Sequence, residues 1–335
     1  MSHTTLLLQP THGNIAECAQ ALRHGQLVAF PTETVFGLGA LVTDVQAITG
    51  IFQAKGRPAD HPLIAHVAPA SSLEGWVRDV TPVMQKLMDA FWPGPLTLVV
   101  PKGPNMPLEV TGGQQSVGIR CPSHPVAVEL LKAVGVPVAA PSANRFGKVS
   151  PTRAQHVIDE LNGRISYVLD GDMPTVGIES TIVSLLNDTP AVLRPGAITA
   201  AQIEAVLGCR VLGHAEAARL GNNPRVSGAL EKHYSPEAKV RVLSTDALRT
   251  LVCEQPTLIV GWSAEFLNEV SAVQNRSTVK PTQMALNNTP EHIAQQLYVI
   301  LRLADEQGYA QAVVEQPEST AAWEGVADRL KRAAV

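Results

Sequence analysis

The sequence predicts an α/β protein in two units, an open twisted sheet flanked by helices and then a smaller, Rossmann-like α/β unit. Short apolar runs of strand length alternate with longer runs bearing helical caps and stops. At 335 residues the chain is long enough to build two separate cores. From about Gly213 to Ala238 the periodicity lapses into Gly-, Asn- and Pro-containing sequence, and strand–helix alternation then resumes. The expected division is 1–212, a linker at 213–238 and a second unit at 239–335.

In chain order, Ile15 to Gly25 reads as a helix and Leu27 to Phe30 as a buried strand. That strand delivers Pro31-Thr32-Glu33-Thr34 at its carboxyl end, where open α/β sheets place ligand contacts. Gly37 and Gly39 follow, but the spacing of a dinucleotide fingerprint fails because position 42 is Val42, and no Walker A sequence occurs. Asp44 is placed to cap a helix in which Ile48, Ile51 and Phe52 recur at helical spacing. Gly56 and Pro58 end it. Lys55 and Arg57 therefore sit at its exit, before an apolar strand from Leu63 to Val67 that contains His66.

Thr81 to Phe91 reads as a helix broken by Trp92-Pro93-Gly94-Pro95, with Leu96 to Val100 as a strand and Lys102 to Gly113 as loop. Trp92 reads as a core aromatic. Val117 to Arg120 is a strand ending in a cation, an expensive place for an unpaired charge, so Arg120 should meet a carboxylate of the protein or of a substrate. Ser123 should cap the next helix, which runs to Gly135. Val136 to Ala140 is a strand feeding Pro141-Ser142-Ala143-Asn144, and Ser150-Pro151 reads as N-cap and first residue of a helix from Thr152 to Leu161. Such a helix start would favour anions.

Tyr167 to Leu169, Thr181 to Leu185 and Ala191 to Leu193 are strands, the last running into Arg194. Thr199 caps a short helix closed by Gly208. Beyond the linker, Lys239 to Leu243, Thr257 to Gly261 and Ala312 to Glu315 read as strands, with helices at His292 to Glu306 and Trp323 to Lys331. A small open parallel sheet follows from that alternation.

Composition narrows the classes of function. With 45% hydrophobic and 17% charged residues the chain is an ordinary globular protein, and its formal net charge of -4 argues against tight, charge-driven nucleic-acid binding. Cys18, Cys121, Cys209 and Cys253 lie far apart with no metal-ligand spacing, as expected for buried thiols in a reducing compartment. The first residues lack a basic, apolar leader pattern and no apolar run reaches membrane-spanning length. A cytoplasmic location with no membrane association is the expectation.

Lys55-Gly56-Arg57 sets two cations on one turn, a natural holder for phosphate oxygens, although a lone pair of this kind is most often a solvated surface feature. Context shifts that reading. PTETVFGLG, KGRPADHPL, FWPGPLT, VGIRCPSHP and PSAN, with Arg194-Pro195-Gly196 and His233-Tyr234-Ser235-Pro236, together resemble the YrdC family and, more narrowly, its long-form L-threonylcarbamoyladenylate synthases. The resemblance spans about the first two thirds of the chain at motif level.

It implies a twisted mixed open sheet, a linker folding over the active site, and formation of threonylcarbamoyl-AMP and pyrophosphate from L-threonine, bicarbonate and ATP. It assigns Lys55 and Arg57 to catalysis and to ATP. His61, Ser116, Ser142, Asn144, Ser150, Arg194 and Tyr234 join them at the nucleotide. Thr34, His66, Arg120 and Ser180 go to L-threonine. Mg²⁺ would bind through ATP, with no metal ligand from the protein, and the product would pass to a downstream tRNA threonylcarbamoyl transferase. His61 departs from the pattern, which often has Asn there. Two other readings stand beside this one. An RNA-binding module of the same fold is opposed by the acidic balance and 4% aromatics. A carbamoyl-phosphate enzyme would want zinc-finger modules that this chain, with no Cys pairs, does not show.

Overall fold

A computed structural model describes residues 4–221, 223–228 and 232–334. Contacts group the chain into two compact units, Met1–Phe146 with Ser150–Ala229, and Gly147–Val149 with Leu230–Val335. The segment read as a linker is thus shared between them, and its first part contains a helix, His214–Leu220.

The first unit is built on a ten-stranded sheet. Its strands are β1 (Leu6–Leu8), β2 (Val28–Phe30), β3 (Gly37–Leu41), β4 (Ile64–His66), β5 (Leu96–Pro101), β6 (Ser116–Arg120), β7 (Val138–Ala139), β8 (Tyr167–Leu169), β9 (Thr181–Ser184) and β10 (Ala191–Arg194). The order is β1-β8-β2-β3-β7-β4-β6-β5-β9-β10, with parallel pairs such as β4–β6 beside antiparallel pairs such as β2–β3. The mixed open sheet is therefore present. Strand β3, GLGAL, has little intrinsic strand preference. It needs its glycines for close approach: a Cβ on Gly39 would stand 2.9 Å from the Phe30 ring and 3.0 Å from Val138.

Helices cover both faces. Asp44 accepts a hydrogen bond from the Ala47 N–H and caps Val45–Lys55, which ends at Gly56 in the left-handed region (φ 64°). That helix buries Ile48, Ile51 and Phe52 in one core cluster. A second cluster gathers Ile15, Leu22, Leu130 and Leu131 from His12–Arg23 and Pro125–Val134. Each such fully buried aliphatic side chain contributes roughly 1.5–3 kcal/mol.

Two expected caps are different in the structure. The helix predicted from Thr152 begins at Ala154, with Arg153 at the cap position and no side-chain cap. The Ser150 hydroxyl instead donates to Glu179 at 2.6 Å, so a buried long-range acceptor has won over the local backbone, and the helix starts two residues later than expected. In Pro125–Val134 the cap is His124, whose Nδ1 accepts from the Val126 N–H, while the Ser123 N–H donates to Glu33.

The second unit carries β11 (Lys239–Leu243), β12 (Thr257–Gly261), β13 (Thr282–Ala285) and β14 (Gln311–Glu315), all parallel, in the order β11-β14-β12-β13. Among the described residues no helix is long and apolar enough to cross a membrane.

Candidate active site

The functional side chains of the first unit cluster where strands end. β4 and β6 run parallel with His66 opposite Arg120, and both side chains are buried. Arg120 meets a protein carboxylate: its Nη2 donates to Glu33 at 2.6 Å, its Nη1 to the Thr34 hydroxyl at 3.0 Å and its Nε to the Gly94 carbonyl at 3.2 Å. The other Glu33 oxygen accepts from the Ser123 N–H at 3.1 Å. His66 Nδ1 donates to the Ile64 carbonyl at 3.1 Å, which makes Nδ1 the protonated nitrogen in that contact. Burial first, and the Arg120 charge second, push its pKa down to about 3, so it is a neutral imidazole at every physiological pH.

In a second group, the left-handed turn at Gly56 lets the chain place Lys55 and Arg57 together. Lys55 Nζ donates to the carbonyls of Ser142 and Asn144, while the Phe146 N–H donates to the Lys55 carbonyl at 2.9 Å. Segments almost ninety residues apart are thereby fastened (87 and 89 positions for the two lysine contacts). Burial first and the neighbouring Arg57 second hold the Lys55 ammonium well below the ordinary lysine range. Arg57 Nη2 donates to the Pro62 carbonyl at 2.9 Å and reaches the Ser227 hydroxyl at 3.4 Å. His61 packs edge-on to Phe146, with ring centroids 5.4 Å apart, and its pKa is lowered by burial and then by Arg57.

The two groups join through a chain of contacts. Arg194 donates to the Ser180 carbonyl from Nε (3.1 Å) and Nη2 (2.9 Å), to the Ser180 hydroxyl from Nη2 (3.1 Å) and to the Ser227 carbonyl from Nη1 (2.8 Å). The Ser180 hydroxyl also contacts Thr97 at 2.7 Å, and the Thr181 N–H donates to the Pro95 carbonyl beside Gly94. From Arg120 through Gly94, Ser180, Arg194, Ser227 and Arg57 to Lys55 and Asn144, one polar seam runs through the unit.

The structure therefore brings together Thr34, His66 and Arg120, and likewise Lys55, Arg57, His61, Ser142 and Asn144, with Ser180 and Arg194 between the two groups. Ser150 enters through Glu179, whose charge acts on Lys55. Ser116 opens β6 opposite Pro101, at the far end of that strand from Arg120, about 13 Å of extended chain away. Tyr234 belongs to the second unit. There it is buried at a positive φ of 58°, its ring tilted against Tyr298 at 5.4 Å with the Arg329 guanidinium 5.5 Å from its centroid. Glu33, Glu179 and Thr97 were not anticipated from the sequence. An acidic residue at a strand end, wedged among small and apolar neighbours, is the signal that marks Glu33 and Glu179.

Among the described residues no cluster of His, Cys, Asp and Glu is arranged to hold a metal ion. The donors of the seam are cations, hydroxyls and carbonyls, a set suited to phosphate and carboxylate oxygens.

Comparison with known proteins follows this geometry. Residues 20–196 match the Sua5/YciO/YrdC family, described as telomere recombination, and residues 198–335 match the threonylcarbamoyl-AMP synthase C-terminal domain. The threonylcarbamoyl-AMP synthase of Pyrococcus abyssi is 38% identical over 314 residues, covering 93% of this chain and 91% of the relative. That of Bacillus subtilis is 39% identical over 329 residues, covering 96% and 92%. The crystal structure of P. abyssi Sua5 complexed with L-threonine superposes with a TM-score of 0.86 at 34% identity, covering 98% of both chains. With both matched segments in one chain and coverage of nearly its full length, this protein belongs to the threonylcarbamoyl-AMP synthase family, in its long form.

Proposed function

We propose that this chain is a cytoplasmic nucleotidyltransferase that makes threonylcarbamoyl-AMP and pyrophosphate from L-threonine, bicarbonate and ATP, and passes the product to a tRNA threonylcarbamoyl transferase. The observation that carries the reading is the fastening of Lys55 to the Ser142 and Asn144 carbonyls, which sets two cations and an amide side chain around one locus. The family assignment supplies the substrates.

In this reading the threonine amine first captures bicarbonate as a carbamate with loss of water. A carbamate oxygen then bonds to the α-phosphorus as the bond to the β-phosphate oxygen breaks, and pyrophosphate departs with the electron pair. Two anions must approach each other, so Lys55, Arg57 and Arg194 neutralise the polyphosphate. Ser142 and Asn144 add hydrogen bonds, and His61 borders the nucleotide. Arg120 takes the threonine carboxylate, with Thr34, His66 and Ser180 around the rest of the amino acid. His66, being neutral, offers a hydrogen bond and a wall rather than a charge. Magnesium, arriving on the phosphates because the seam supplies cations rather than carboxylate ligands, would spread their charge. Holding the carbamate in line can supply roughly 7–11 kcal/mol of barrier lowering, so no covalent nucleophile is needed.

The test is incubation with ATP, labelled bicarbonate and each amino acid in turn, scoring pyrophosphate and labelled adenylate. Release that depends on L-threonine and bicarbonate supports the reading. RNA affinity that falls with salt, without turnover, would replace it by the binding-module alternative.

A further inference from the structure

We propose that Glu33 is a positioning residue for the amino-acid substrate: it holds Arg120, and through Arg120 orients Thr34, so that the pair meets threonine in one fixed orientation. The proposal rests on the synthase reading above.

The hydrogen-bond directions carry it. Arg120 has five N–H groups. Three are spent inside the protein, on Glu33, Thr34 and Gly94, one from each nitrogen. One N–H remains on each terminal nitrogen, which matches the two oxygens of a carboxylate. The Thr32 hydroxyl donates to the Val35 carbonyl at 2.6 Å and accepts from the Thr34 and Val35 N–H groups. The Thr32 and Thr34 hydroxyls also lie 2.8 Å apart, and either can be the donor of that contact. The Thr34 hydroxyl gives one lone pair to Arg120, which fixes it beside the guanidinium.

Glu33 is what fixes this arrangement. Its carboxylate, with the side chain only 5% exposed, counters a guanidinium equally buried, so Arg120 is held in one orientation. Its second oxygen is anchored by the Ser123 N–H just before the helix Pro125–Val134, so the carboxylate cannot swing. Both of its partners are donors. An amide in place of the carboxylate has one oxygen for two donors, and its own N–H₂ would face either the guanidinium or the Ser123 N–H.

The experiment measures threonine- and bicarbonate-dependent pyrophosphate release for wild type, Glu33→Gln and Glu33→Asp. For Glu33→Gln the expected result is a KM for L-threonine about 10- to 100-fold higher, the loss typical of a charge-assisted hydrogen bond, with KM for ATP within about twofold of wild type. Glu33→Asp, which keeps two acceptors on a shorter stem, should fall between the two and decides the matter by the same criterion if the Gln variant does not fold. A threonine KM within about threefold of wild type in the variant measured, or constants for threonine and ATP that rise together, overturns the positioning role while leaving the synthase reading intact. A wild-type enzyme that releases no pyrophosphate overturns both.

Discussion

The two units use the same ingredients, strands alternating with helices, but treat their buried polar side chains in opposite ways. In the second unit the Glu315 carboxylate, at the carboxyl end of β14, accepts from the Trp262 and Ser263 N–H groups and from the hydroxyls of Ser263 and Thr245. Gln311 likewise donates to Thr257 at 2.8 Å. These contacts tie neighbouring loops and strands to one another, and the carboxylate sits where a doubly wound sheet would otherwise receive a ligand. In the first unit, Arg120 keeps two N–H groups beyond its internal contacts, and a second cation, Lys55, is buried against Arg57. Burial of charge alone does not separate a structural network from a binding site. Donor capacity left over after the internal contacts are counted does.

That contrast can be broken most sharply at the paired cations. Replacing Arg57 by Ala should lower pyrophosphate release by at least about 100-fold while the far-ultraviolet circular dichroism stays native, since a preorganised charge on the phosphates is lost. Activity near wild type would remove the first unit's claim to the site. In the second unit, Glu315→Gln should do the reverse. Unfolding in urea should show a loss of about 1–3 kcal/mol from donors left unsatisfied, with KM values for ATP and threonine unchanged. A KM shift without a stability loss would erase the distinction.

A smaller effect sharpens it further. On the proposed reading Lys55 holds phosphate as an ammonium, and its pKa is lowered by burial and by Arg57, so ATP affinity should fall on raising the pH sooner than an ordinary lysine would require. Because the folded-state value lies below that of the unfolded chain, the unfolded state binds more protons in between, and stability should rise with pH across that interval. Arg57→Gln, which removes one of the two causes, should move the alkaline decline in ATP binding upward, as read by calorimetry across a pH series.

The punctuation of the chain was legible in the sequence where it depends on local chemistry. Asp44 as cap and Gly56 as stop are backbone events decided within one turn, and the structure has both. The all-parallel second sheet followed from strand–helix alternation. Legibility failed where a distant partner outbid the local one. Ser150 was a good cap on paper, but Glu179, 29 positions away, took its hydroxyl. Ser123 gave its N–H to Glu33, 90 positions back, and His124 became the cap. Strand β3 was hidden because its glycines answer to the crowding of Phe30 and Val138, which no propensity records. The meeting of Lys55 with Ser142 and Asn144 was unreadable from spacing and came only through likeness to a known family.

One consequence follows from the turn at Gly56. Nucleotide-binding loops of the Walker type hold phosphate with main-chain amides at the beginning of a helix, and those survive any change of side chain. Here the paired cations proposed to face phosphate are mounted at the opposite terminus, on two removable side chains. Acylation of the single amine at position 55 would therefore cancel a charge and unfasten the 142–144 turn in one stroke.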